Sequence, residues 1–154
     1  MKKVVMCFGT FDGLHPGHED FFRQSKECGE ELIVIVSRDI TVVDVKGNLP
    51  ANNENDRLNV VREHPLVDDA RLGNHGDKYH IIEEVNPDII CLGYDQETFT
   101  ENLDAELARR GLSATIVRCE PFFPDQFKST LLRGMREEVD TSEEAEYEEN
   151  GLPL

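Results

Sequence analysis

The sequence has little that would bring it to a membrane or to nucleic acid. No apolar run approaches the roughly 20 residues that a membrane-spanning helix needs, so we expect no membrane partner. Basic residues are also scarce, with 16 lysines and arginines against 32 aspartates and glutamates, and the formal net charge is −16. Because a duplex nucleic-acid partner needs a basic surface, we expect no nucleic acid either.

Cysteines are few and widely spaced along the chain. There are four, none of them in a C-x-x-C pair, and three lie in apolar runs, where a cysteine behaves as a small apolar side chain. This usage is typical of a reducing, cytoplasmic environment and predicts neither a disulfide framework nor a metal–thiolate centre. The four are Cys7, Cys28, Cys91 and Cys119.

The length of 154 residues predicts one domain. The end of the chain differs in composition and forms an acidic tail. Residues 137–149 contain eight acidic residues and no basic one, with little apolar periodicity, so we expect them to be solvated. We therefore divide the chain into a domain, 1–136, and a tail, 137–154. The last four residues, Gly151 to Leu154, offer a segment that could dock onto a partner subunit, so a homodimer is among the states that the sequence allows.

Apolar runs alternate with helical patterns along the domain. This alternation predicts an α/β fold, a Rossmann-like doubly wound parallel sheet of about five strands in a single domain. The predicted strands are 4–8, 32–36, 70–72, 89–92 and 114–119, and the predicted helices are 16–28, 54–63, 79–85, 102–110 and 129–139. Residues 37–53 are predicted to form a long connection. We expect the strands that end at Phe8 and Leu92 to be neighbours where the strand order reverses, which is where such sheets bind ligands.

The most informative stretch follows the first strand and enters a helix at Pro16. Proline is favoured at the first helical position, where its missing N–H is not needed. The helix start then offers unpaired N–H groups and the positive end of the helix dipole to a phosphate, and Gly17 leaves room for a close approach. His15 and His18 fall on one side of that start, where they can donate hydrogen bonds to oxygens that gain charge during phosphoryl or nucleotidyl transfer. The alternative is two surface histidines at a helix cap.

The residues Gly9-Thr10-Phe11-Asp12 followed by His15-Pro16-Gly17-His18 resemble the signature of the cytidylyltransferase-like nucleotidyltransferases, and the resemblance covers about residues 2–136. It implies transfer of a nucleoside monophosphate from a nucleoside triphosphate to a small-molecule acceptor, with release of pyrophosphate. It also implies three catalytic residues: His15, His18 and Lys46. The nucleotide-binding residues are then Gly9, Thr10, Phe11, His15, Pro16, Gly17, His18, Asp95, Ser129, Thr130 and Arg133.

Three residues of the first half have two interpretations each. Lys46 lies in the predicted long connection, where a family lysine reaches the triphosphate or the acceptor phosphate, but it could also be a solvated surface lysine. Arg57 matches a helix-borne arginine of several family members, so it contacts an acceptor phosphate or forms a surface ion pair with Glu54 or Glu63. Asp12 caps the approaching helix or orients an imidazole.

Two further sites lie towards the end of the domain. Asp95 follows Gly93 and can accept from a ribose hydroxyl or a base amine, with a turn aspartate as the alternative. Ser129-Thr130 opens a predicted helix and resembles the second signature of the family, from which Arg133 would reach the β- and γ-phosphates. The alternative there is an ordinary helix N-cap. Leu131 departs from the family pattern, which has a polar or basic residue at that position.

Three subgroups of the family compete: glycerol-3-phosphate cytidylyltransferases, heptose-phosphate adenylyltransferase domains and archaeal-type FAD synthases. The proline between the two histidines, the Gly93-Tyr94-Asp95-Gln96 stretch and the segment 109–118 resemble the last group. That resemblance implies that ATP and FMN give FAD and pyrophosphate with Mg²⁺ or another divalent cation, and that the protein alone supplies no metal site. The alternatives are CTP:glycerol-3-phosphate cytidylyltransferase or another sugar- or polyol-phosphate nucleotidyltransferase. A nucleotide-binding module without catalysis is a third possibility, against which both histidines count.

Overall fold

The computed structural model describes residues 2–94, 96–97 and 100–122. The predicted helix 129–139 and the acidic tail lie outside them. None of the helices in these ranges is long and apolar enough to cross a membrane. The elements are β1 (Val4–Gly9), α1 (Pro16–Glu27), β2 (Glu31–Val36), α2 (Asp39–Lys46), α3 (Glu54–Arg62), β3 (Asp69–Leu72), α4 (His80–Val85), β4 (Ile89–Leu92), α5 (Leu103–Arg109) and β5 (Thr115–Arg118).

The strands form one parallel sheet in the order β3-β2-β1-β4-β5. The central strand is β1, in which Cys7 lies opposite Val34 of β2 on one side and Cys91 of β4 on the other. The order of the strands reverses between β1 and β4, so the carboxyl ends of these two strands border the expected ligand crevice. The predicted Rossmann-like fold is confirmed, and so is the prediction that the strands ending at Phe8 and Leu92 are neighbours.

Helices cover both faces of the sheet. Alternate side chains of β1 point to opposite faces, so Cys7 joins the core under α1 and α3, while Met6 joins the core under α4 and α5. Phe22 of α1 and Ile82 of α4 are buried at these two faces. Because both faces of the central strands are covered, the strands are almost continuously apolar.

The predicted long connection 37–53 was wrong in its first half, because it contains α2. Val42 is the buried residue of this helix, so its burial gives little helical periodicity. Ile40 to Val43 are four consecutive β-branched residues, which are weak helix formers. The helix ends at Gly47, whose left-handed φ of +86° favours glycine. Lys46 therefore lies in the last turn of a helix and not on a loop.

The four cysteines, far apart in sequence, belong to one core. Cys7 and Cys91 are opposite each other in the sheet, and the Sγ atoms of Cys91 and Cys28 are 3.8 Å apart. Burial, with a further contribution from the neighbouring Cys91 thiol, raises the pKa of Cys28 to about 11, so this thiol is protonated at neutral pH. Within the described ranges, no group of three or more His, Cys, Asp or Glu side chains is arranged to hold a metal ion.

Arg57 of α3 joins the segments that surround the carboxyl ends of β1 and β2. Its guanidinium has no exposed surface and donates to the backbone carbonyls of Thr10, Ser37 and Asn52 at 2.8 to 2.9 Å. It also donates to the Asp39 carboxylate at 2.7 Å, at the start of α2. These bonds use four of the five guanidinium N–H donors. The predicted contact with an acceptor phosphate, and the alternative surface ion pair, are therefore wrong, because Arg57 is buried.

We expect Arg57→Met to destabilise the fold. The substitution leaves buried carbonyl oxygens and the Asp39 carboxylate without their donor, which costs about 3 kcal/mol or more in the free energy of unfolding. The matched control is Arg23→Met, because Arg23 is half-exposed and pairs only with Asp20 and Glu27 on the surface of α1, so it should cost about 1 kcal/mol or less. Urea unfolding measures both, and equal losses for the two variants would contradict the structural role of Arg57.

Candidate active site

The two motif histidines form the N-terminal cap of α1. His15 is the N-cap residue, with extended backbone angles, and Pro16 is the first helical residue, as predicted. The Nδ1 atom of His15 accepts from the backbone N–H of Gly17 at 3.0 Å. In return, the backbone N–H of His15 donates to Nδ1 of His18 at 3.3 Å. This is a capping box in which imidazoles stand where serine or threonine and glutamate or glutamine are usual.

The capping bonds assign the tautomer of each ring. A nitrogen that accepts a hydrogen bond carries no hydrogen, so a neutral imidazole that accepts through Nδ1 is protonated at Nε2. Both His15 and His18 are therefore Nε2–H donors. Their rings are stacked, with centroids 3.9 Å apart and planes 24° apart. The start of α1 thus presents two parallel side-chain donors in addition to its positive dipole end.

The Phe11 ring packs against the His18 ring. Phe11 has a φ of +54°, which is uncommon for a residue other than glycine, and its ring is buried. The ring contacts His18 edge-on and packs against Phe22, with both centroid distances at 5.3 Å. A Cβ atom on Gly9 would lie 2.5 Å from this ring, so glycine is required at position 9 to make room for Phe11. The sequence predicted a backbone contact at Phe11 and did not predict this packing.

Thr10 and Lys46 line one cavity, of about 210 Å³, beside the motif. Thr10 is buried, and its Oγ1 atom has no hydrogen-bond partner in the part of the chain that the structure describes. Burial lowers the pKa of Lys46 from its ordinary value, the Asp12 carboxylate opposes that change, and the Arg57 charge adds to it. A hydroxyl and an ammonium group at one cavity can hold an anionic group such as a phosphate. We call this space the phosphate cavity; it is lined by Thr10, Asp12, Val42, Lys46 and residues 48–51.

Asp12 has neither of its two predicted roles. The helix cap is His15, and the Asp12 carboxylate accepts from the backbone N–H groups of Ala51 and Asn52 at 2.7 and 2.9 Å, and from the Asn52 side chain at 2.9 Å. Burial alone would raise the pKa of Asp12, but these hydrogen bonds outweigh it and hold the pKa below its ordinary value. Asp12 therefore ties the motif loop to the segment that precedes α3.

The loop that follows β4 is fixed to both neighbouring strands. Gln96 is buried, accepts from the N–H of Gly93 at 3.0 Å and donates to the carbonyl of Phe8 at 3.4 Å. Arg118 of β5 donates to the carbonyls of Gly93 and Gln96 at 2.8 and 2.6 Å. No pattern in the sequence indicated this role of Arg118. Four predicted nucleotide-binding residues lie outside the described residues, so their roles stay predictions: Asp95, Ser129, Thr130 and Arg133.

The structure brings together the remaining predicted residues at the carboxyl edge of the sheet. Arg57 is buried and does not line the phosphate cavity. The edge has two components, the pair of imidazole donors and the phosphate cavity, and both adjoin the loop that leaves β1. The residues concerned are Gly9, Thr10, Phe11, His15, Pro16, Gly17, His18 and Lys46.

Known proteins resemble this chain over most of its length. The FAD synthase of Methanosarcina barkeri is 46% identical over 114 residues, which are 74% of this chain and 81% of that protein. The FAD synthase of Thermoplasma volcanium is 42% identical over 118 residues, 77% of this chain and 82% of that protein. The crystal structure of the lipopolysaccharide core biosynthesis protein from Thermoplasma volcanium has a TM-score of 0.76 at 40% identity, covering 80% of this chain and all of that one.

A more distant likeness extends to the fold alone. The structure of pantoate-beta-alanine ligase from Francisella tularensis has a TM-score of 0.55 at 11% identity, covering 84% of this chain and 66% of that one.

Residues 6–141 match the family described as cytidylyltransferase-like, a range that includes the capped helix and nearly the whole sheet. The predicted family is thereby confirmed, and the chain belongs to the cytidylyltransferase-like family.

Proposed function

We propose that this chain is an FAD synthase, a nucleotidyltransferase that moves AMP from ATP to the phosphate of FMN and releases pyrophosphate. The observation that carries the proposal is the pair of Nε2–H donors beside the phosphate cavity, in a chain 40 to 46% identical to archaeal FAD synthases. An FMN phosphate oxygen forms a bond to the α-phosphorus of ATP. The bond from that phosphorus to the bridging oxygen breaks, and pyrophosphate leaves with the electron pair.

The described residues supply binding and charge stabilisation for this step. His15 and His18 donate to the non-bridging oxygens of the α-phosphate, which gain charge as the phosphorus is attacked. Lys46 and Thr10 hold the FMN phosphate in the phosphate cavity and position it for in-line attack. A phosphate monoester has a second pKa of about 6, so the attacking oxygen is already deprotonated at neutral pH and no general base is required.

The rest of the triphosphate is assigned from the sequence. Asp95 accepts from the ribose or the base, while Ser129, Thr130 and Arg133 bind the β- and γ-phosphates. ATP would enter as its complex with Mg²⁺ or another divalent cation, and the cation would neutralise charge on the leaving pyrophosphate. In this proposal the nucleotide would bring the cation with it. The proposed setting is a reducing cytoplasm, which is consistent with four cysteines that form no disulfide.

The substrate assignment predicts which pair of substrates reacts. Purified protein with Mg²⁺ should convert FMN to FAD with ATP and only poorly with CTP, as measured by chromatography of the flavins and by pyrophosphate release. The parallel reaction supplies CTP and glycerol 3-phosphate. Formation of CDP-glycerol without any FAD would overturn the substrates and leave the reaction type in place.

The histidine assignment predicts loss of turnover without loss of the fold. Asparagine is a good helix N-cap, so His15→Asn should keep the cap and the melting temperature while removing the Nε2–H donor. We expect its kcat to fall about 10²- to 10³-fold, and that of His18→Ala similarly, with the Kd for ATP changed far less. His80→Asn alters an exposed histidine that pairs with Glu83 and Glu84 and serves as the control. Wild-type turnover in His18→Ala would refute the site.

The acidic tail is proposed to be a solvated extension outside the catalytic domain. A chain that ends after Arg136 should then fold and keep its activity, as measured by circular dichroism and FAD formation. Size-exclusion chromatography of both chains also tests whether the tail supports a homodimer. Insoluble protein, or a dimer that dissociates on truncation, would show a structural role for residues 137–154.

A further inference from the structure

A second cavity adjoins the phosphate cavity across one side chain. Val42 of α2 lines both spaces. The second space, which we call the ring cavity, lies between α2, the start of α4 and the carboxyl ends of β1, β2 and β3, and its enclosed volume is about 70 Å³. Its walls are mainly apolar, and the side chains that form them are Phe8, Ile35, Val42, Val45 and Ile81.

One face of α2 is turned towards this cavity. Arg38, Thr41, Val42 and Val45 line it at helical spacing, so they share a face of the helix. In a helix that packs on a sheet, such a face is normally covered by the core. Here Val45 is 44% exposed although it lies at the mouth of an apolar cavity. A flat apolar ligand placed there would cover surface that the protein leaves open.

We infer that the ring cavity binds the isoalloxazine ring of FMN, an inference that rests on the proposed function. FMN carries a phosphate and a tricyclic ring at opposite ends of a ribityl chain. With the phosphate at Lys46, the chain passes Val42 and the ring reaches the ring cavity. The enclosed volume takes only one edge of the ring, so the remainder lies across Val45 at the mouth.

The polarity of the cavity gives the ring a direction. The dimethylbenzene edge has no hydrogen-bonding groups and therefore enters between Ile35 and Ile81. The pyrimidine edge has carbonyl oxygens and ring nitrogens, and it faces Asn74 and Lys78, two of the polar side chains in the lining. In the portion of the chain that is described, neither of these side chains has a hydrogen bond or an ion pair to another residue, so both can donate to a ligand.

The same apolar walls distinguish between acceptors. A short polyol phosphate such as glycerol 3-phosphate would fill the phosphate cavity and leave the ring cavity uncovered. A flavin covers it, and the hydrophobic contribution of the ring adds to the affinity for the phosphate. The ring cavity therefore makes the acceptor site selective for a phosphate that carries a large planar ring.

The test uses Val45→Asp, with Val60→Asp of α3 as its matched control. The two valines are 44% and 48% exposed on their helices, and Val60 lines neither cavity, so both variants should fold. A carboxylate at position 45 would be desolvated by the ring, so we expect Val45→Asp to raise KM for FMN about tenfold or more and leave KM for ATP unchanged. Val60→Asp should change neither constant.

Riboflavin, which has the ring but no phosphate, distinguishes binding in the ring cavity from binding in the phosphate cavity. Its dissociation constant, measured by quenching of flavin fluorescence, should rise in Val45→Asp and stay unchanged in Lys46→Ala, while FMN binding should weaken in both. If Val45→Asp binds both flavins as Val60→Asp does, the ring cavity is refuted, even where the wild type makes FAD. If the wild type makes no FAD but binds riboflavin, and Val45→Asp loses that binding, the cavity stands and the proposed function falls.

Discussion

The reciprocal hydrogen bonds at the start of α1 are the interaction on which the site depends. The backbone amides of Gly17 and His15 donate to Nδ1 of the two imidazoles, so the hydrogen of each neutral ring is on Nε2. The same side chains bond N–H groups at the helix start and, in the proposed site, donate to a phosphate. Because the cap holds both rings in place before any ligand arrives, little reorganisation is needed when charge develops in the transition state.

The second half of the site depends on a buried guanidinium. Arg57 binds the carbonyl of Thr10 in the motif loop and the carboxylate of Asp39 at the start of α2. It thereby sets the position of the helix whose last residue is Lys46 relative to the loop that carries the histidines. This arrangement also shows how a chain with a net charge of −16 could accommodate the two anionic substrates of the proposed reaction. The cations and donors are placed locally by the fold, and the overall charge does not determine the site.

The sequence predicted the parallel sheet, the switch point and the histidine motif, because each leaves a local pattern. Buried strands are continuous apolar runs, and the motif occupies ten consecutive residues. The role of Arg57 could not be predicted, because its partner Thr10 is 47 residues away and an arginine on a short helix is usually exposed. The sequence did not predict α2, because its one buried residue, Val42, leaves no helical periodicity and its β-branched residues favour strands. The ring cavity could not be predicted either, because α2 forms one of its walls and the sequence predicted a loop there.

The most direct test of the central claim is nitrogen NMR of the protein labelled with ¹⁵N-histidine. The signals of His15 and His18 can be assigned by comparison with His15→Asn and His18→Ala. At a pH where the imidazoles are neutral, the account predicts that both residues show a non-protonated Nδ1 and a protonated Nε2, before and after ATP is added. A protonated Nδ1 in either residue of the free protein would contradict it, because that ring could not accept its capping bond.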